Sequence, residues 1–227
     1  MPTSQKRRPT FSERVLLRLS TSRFVDGFWI GTLPTGLDPG ITNRRVEEAL
    51  ESIRAYDPSR YERLRRYLPR IWVRVQGGGN TGCYNAALDA CELDPRHLLR
   101  ADVTPSDIAS IIVHEATHAK LTRCGIVSSE SLRSRVEDAC RKQERAFSER
   151  LPLPQGDKIR DKLRRIDQVP EDFWSDASSA QRDQAGVDEA LVYLGVPRWF
   201  LPVSRLTRAV VGLIRRLIRS ISRLRAA

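Results

Sequence analysis

The stretch IIVHEATHAKL, residues 111–121, sets two histidines and a glutamate inside an otherwise apolar run. On a helix, His114 and His118 are one turn apart, so both imidazoles reach a single cation from one face. Imidazole is a standard ligand for zinc. Glu115, next to the first histidine, aims its carboxylate beside such an ion rather than at it. The set can therefore hold a metal and keep one acid free to move a proton. A catalytic zinc also needs a third protein ligand and an open position. Four residues stand open for that role. His97, the remaining histidine, sits in the DPRHLL connection before the motif, and Cys124 follows the motif directly. Glu137 and Glu144 are seven residues apart in SLRSRVEDACRKQERAFSERL, two turns along one helical face.

The elements that must position these residues are legible in part. Thr104-Pro105-Ser106-Asp107 is a helix start, with a capping threonine, proline at the first helical position and an acid in the first turn. It predicts a helix over 105–123 that stops at Gly125. Ser128 or Ser129 caps a second helix reaching about Arg150. Upstream, Ile71, Val73 and Val75 alternate with Trp72 and Arg74, which is strand spacing. GGGNTG (77–82) is a turn-rich break with no Gly-Lys-Ser/Thr after it, so it is not a phosphate loop. Residues 83–93 are expected to return as a second strand. A short helix over 11–20, a Gly/Pro-rich connection to Gly40, and helices over 41–56 and from Pro58 precede this region. Further helices are expected near 157–166 and 181–194, with a last one from about Val203 to Arg225. The fold class is mainly α with a small β-sheet (α+β). Residues 1–197 form one domain with its core over about 42–195, and 198–227 are an appendage.

The His-Glu-x-x-His pattern at 114–118, with eighteen residues between His118 and Glu137, resembles the gluzincin group of zinc metallopeptidases, of the thermolysin and zinc-aminopeptidase types. The resemblance covers about residues 70–150. It implies a zincin-like pair of active-site helices beside a short sheet, with Zn2+ on His114, His118 and Glu137 and with Glu115 as general base. It also implies a peptide or protein substrate pairing with an edge strand at 83–93. The metzincin pattern is not met, because Leu121 and Cys124 stand where it has glycine and histidine. Arg141 stands where gluzincins often place an acid that orients a histidine; Asp138 or Glu144 is left to substitute. Tyr84, His97 and Tyr193 are the candidate donors to a developing oxyanion.

Composition bounds the partners. The formal charge is +11, yet residues 190–227 hold eight arginines and no Asp, Glu or Lys, which leaves +3 for the rest. In that tail Val203, Leu206, Val210, Ile214, Leu217, Ile221 and Leu224 form a stripe at helical spacing with arginines opposite. Such a helix packs on the domain, lies on an anionic membrane, or pairs with a partner helix or nucleic acid. Sparse aromatic residues disfavour nucleic acid. No apolar run approaches the roughly 20 residues of a spanning helix, and the first residues lack a secretory signal, so a cytoplasmic protein with reduced cysteines is expected. The rival reading is a non-catalytic membrane- or nucleic-acid-associated protein with a structural or vestigial zinc site.

Overall fold

The alternation at Ile71–Val73 forms the centre of a sheet. In the computed structural model, which describes residues 8–34, 36–126 and 129–203, five strands lie in the order β1 (Thr21–Val25), β2 (Phe28–Thr32), β3 (Arg70–Val73), β5 (Ala90–Leu93), β4 (Gly82–Asn85). β2, β3 and β5 are parallel, and β1 and β4 run antiparallel at the two edges. The protein is thus an α+β fold with a small mixed sheet.

Ile71 and Val73 point to the side covered by α2 (Pro39–Tyr56) and α5 (Pro105–Arg123). There they join Val46, Leu50, Ile53, Ile108 and Ile112 in the main core. Trp72 points the other way and is covered by α1 (Phe11–Leu19) through Leu16 and Leu17. Its indole N–H donates to Ser20 Oγ at 2.9 Å, which satisfies a buried donor. Between β2 and β3 the chain runs through α2 and α3 (Pro58–Tyr67); between β5 and α5 it makes the single turn α4 (Pro95–Leu98).

Three features differ from the sequence expectation. The connection over 21–40 contains β1 and β2, joined by Asp26 and Gly27, both at positive φ, as a two-residue hairpin turn requires. Phe28 and Ile30 of β2 are fully buried, so the core begins well before residue 42. Residues 83–93 are not one strand but parts of the hairpin β4–β5. Asn85 Oδ1 accepts the amides of Ala87 and Leu88 and Asp89 takes positive φ, which turns the chain.

The helix pair follows the sequence, except that Ser129, at the N-cap of the second helix, makes no side-chain cap bond. Thr104 caps α5 in a reciprocal box with Asp107. At the other end Gly125, at φ +82°, lets the amides of Gly125 and Ile126 reach Thr122 and Leu121, closing the helix in a Schellman turn. The chain then reverses into α6 (Glu130–Ser148), which packs along α5, and continues into α7 (Gln155–Ile166) and α8 (Asp176–Tyr193). Edge strand β4 rests on α5 where Gly82 meets Ile111. A Cβ at Gly82 would lie 2.5 Å from Ile111 Cγ2, so glycine sets how closely the strand approaches the motif helix. Among the described residues no helix is long and apolar enough to cross a membrane.

Candidate metal centre

Helix α5 brings His114 Nε2 and His118 Nε2 to 3.1 Å from each other. Helix α6 adds Glu137, whose Oε2 is 3.2 Å from His114 Nε2 and whose Oε1 is 3.4 Å from His118 Nε2. Tetrahedral zinc with bonds near 2.05 Å separates neighbouring donors by about 3.3 Å. The three side chains thus already stand at the mutual spacing a small divalent cation imposes. Each is 17–19% exposed, so the point they surround is reachable from solvent.

The outward side of His114 is also fixed. Its Nδ1–H donates to Glu144 Oε2 at 2.9 Å, and Glu144 Oε1 accepts from Ser110 Oγ at 2.8 Å. That bond puts a proton on Nδ1 and turns the Nε2 lone pair toward Glu137 and His118. A lone pair facing a carboxylate in a half-buried place is stable only with a positive charge between them. Burial disfavours a charged His114, but hydrogen bonds to Glu137 and Glu144 outweigh it and push its pKa up to about 10. Burial likewise opposes ionisation of Glu137, and the two histidines reverse it, holding this carboxyl well below the usual carboxylate range. A proton or a metal cation at this point answers the same demand, and the donor set of two imidazoles and a carboxylate fits zinc.

Glu115 lies beside the cluster and is 6% exposed. Burial raises its pKa; the charges on His114 and His118 oppose that rise. An acid so tuned exchanges a proton more readily near neutrality than a free glutamate does.

Cys140 is the residue the sequence reading missed. It is one turn beyond Glu137 on α6, fully buried, with its Sγ and the two imidazole donors all within 4.8 Å of one another. Burial first, then the charges of Glu137, Glu115 and Glu144, raise its pKa strongly, so the thiol stays protonated unless a metal displaces the proton. Its spacing of three from Glu137 was the available signal.

The other candidates lie elsewhere. Glu144 is behind His114 rather than among the converging donors. His97 is on α4, with Lys162, Arg100, Asp107 and Asp102 as its charged neighbours, and burial lowers its pKa. Cys124 is the exposed C-cap of α5. Arg141 turns to Asp138 and Asp167 and over the Trp174 ring, tying α6 to the segment after it. The Tyr84 hydroxyl is bonded to Asp89 at 2.5 Å, and Tyr193 is exposed on the last turn of α8.

No protein-family model, curated protein or solved structure matches this chain.

Proposed function

We propose that this chain is a zinc-dependent hydrolase acting on peptide bonds, with His114, His118 and Glu137 as the metal ligands and Glu115 as general base. The observation that carries the reading is the convergence of two Nε2 atoms and one carboxylate, with Glu144 orienting His114 from behind. A zinc ion held by these three residues would supply Lewis acidity toward a water and a substrate carbonyl. Glu115 takes the water's proton as the new C–O bond forms and delivers it to the leaving nitrogen as the C–N bond breaks. Its raised pKa suits both transfers. Glu144 and Ser110 keep His114 in one tautomer throughout. Strand β4 is the edge strand of the sheet that packs on α5, which supports binding of an extended peptide by strand addition. The protein works in the cytoplasm, with residues 198–227 as a peripheral contact to anionic membrane. The described part of that segment ends at residue 203, and Trp199 is 76% exposed.

One observation favours a second reading. Were Cys140 to join the ligands as a thiolate, no position would remain for water, and the site would be structural. Burial and the charges of Glu137, Glu115 and Glu144 work against ionisation of the thiol, whereas Glu137 is already ionised and stands 3.2 and 3.4 Å from the two histidine nitrogens.

Glu115→Gln separates the two. A hydrolase keeps its zinc in this variant and loses nearly all turnover of a mixed peptide substrate. Wild-type protein that holds zinc yet cleaves no peptide under any condition tried supports the structural reading instead.

A further inference from the structure

One side of the molecule, remote from the metal cluster, is apolar and positively charged at once. The inner residues of α1, Leu16 and Leu17, pack on the Trp72 cluster. Phe11, Val15 and Leu19 recur every four residues on its other side and are 77%, 36% and 61% exposed. Strand register adds a fourth apolar group. Phe24 of β1 stands opposite Trp29, and Trp29 packs with Trp72 under α1, so Phe24 is on the sheet face that α1 covers. It is 76% exposed.

Cations accompany these side chains. Arg8, Arg14 and Arg18 are exposed, and among the described residues no carboxylate pairs with them. The acid of α1, Glu13, is turned to the cap at Thr10 and toward Asn85. Exposed large apolar groups with free arginines alongside are what an anionic bilayer surface accepts, chains below the headgroups and guanidinium groups among the phosphates. A second copy of this chain would set the same arginines against each other, on a molecule already at +11.

We infer that α1 and β1 form a docking face for an anionic lipid surface. This face is built from residues other than 198–227 and does not depend on the zinc reading. Because Ile71 and Val73 point to the opposite side of the sheet, toward α5, docking leaves the metal cluster facing away from the bilayer.

Flotation of the full chain with phosphatidylcholine vesicles, with and without phosphatidylglycerol, tests this. Two variants run alongside: Phe11→Ser with Leu19→Ser and Phe24→Ser, and Arg14→Glu with Arg18→Glu. All five positions are exposed, and circular dichroism checks that the fold is kept. The expected result is binding to anionic vesicles, weak binding to neutral ones, and a loss of roughly tenfold or more in partitioning for each variant. Wild-type binding by the apolar variant would overturn the inference and leave residues 198–227 as the contact. So would a failure of the wild type to bind, or self-association of the wild type without vesicles that the apolar variant abolishes.

Discussion

Glu144 bonds His114 Nδ1 at 2.9 Å from two helical turns beyond Glu137 on the same helix, and Ser110 donates to its other oxygen. One face of α6 thereby approaches His114 from both sides, with Glu137 at Nε2 and Glu144 at Nδ1. Glu144→Gln keeps the size of the side chain but removes the charge. Zinc affinity is expected to fall by about 10–100-fold, with a smaller loss in Ser110→Ala. Competition with a calibrated chelator measures both, and unchanged affinity in Glu144→Gln would remove the orienting role.

A zinc ion bound here would have to displace a proton, because His114 has its pKa pushed up to about 10. Between pH 6 and 8 the metal-free site is therefore protonated, and affinity should rise about tenfold per pH unit, with about one proton released on binding. Calorimetry in buffers of different ionisation enthalpy counts that proton. A pH-independent affinity would mean that His114 is neutral in the metal-free protein.

The choice between Glu137 and Cys140 is also open to measurement. Cys140→Ala is expected to retain zinc, because the buried thiol is not needed as a donor, while Glu137→Ala loses it. X-ray absorption at the zinc edge gives a second view: nitrogen and oxygen neighbours alone agree with Glu137, and a sulfur neighbour assigns Cys140 to the ion.

Much of the site was legible because its signals are local. The cap at Thr104, the proline after it and the one-turn spacing of His114 and His118 are short-range facts, and α5 forms as they require. The helix face alone leaves Glu137 and Glu144 equal, and only the resemblance to gluzincins favours Glu137; in the structure Glu137 stands at the two Nε2 atoms and Glu144 at His114 Nδ1. Cys140 sits on the same face between Glu137 and Glu144, but a lone cysteine inside a helix reads first as a small buried apolar side chain, so its place among the donors shows only in three dimensions. Arg141 looked like a missing acid, yet its place is explained by packing against Asp167 and Trp174. The β1–β2 hairpin is hard to read in the sequence: Asp26-Gly27 is a strong turn signal, but the five-residue strands beside it are too short to show a clear period.

Gly82 sets the separation between β4 and α5. Gly82→Ala should cost about 1–3 kcal/mol in thermal or urea unfolding, because the new methyl meets Ile111 Cγ2. Ile111→Ala in the same chain should recover part of that loss. Equal stability of Gly82→Ala and wild type would mean that the strand is free to shift.

Asp57 anchors α3 away from the site. Burial works against its charge, but bonds from Arg60 and Ser59 reverse the balance and hold its pKa below the ordinary 3.8. A lowered pKa in the folded state gives stability that is present above the unfolded value and lost as pH falls through the folded one. Asp57→Asn should therefore be less stable than wild type by about 1–3 kcal/mol at neutral pH. The gap should narrow as pH drops below about 4. A constant gap down to pH 2 would argue that shape, not charge, is what Asp57 contributes.

Zinc content by elemental analysis, on the purified wild type and on Glu137→Ala after zinc is added back and excess removed, tests the central claim most directly. The account predicts about one zinc per chain in the wild type and little in the variant. A wild type that takes up no metal would contradict it, and would make the convergence of His114, His118 and Glu137 a protonated hydrogen-bond cluster between two helices.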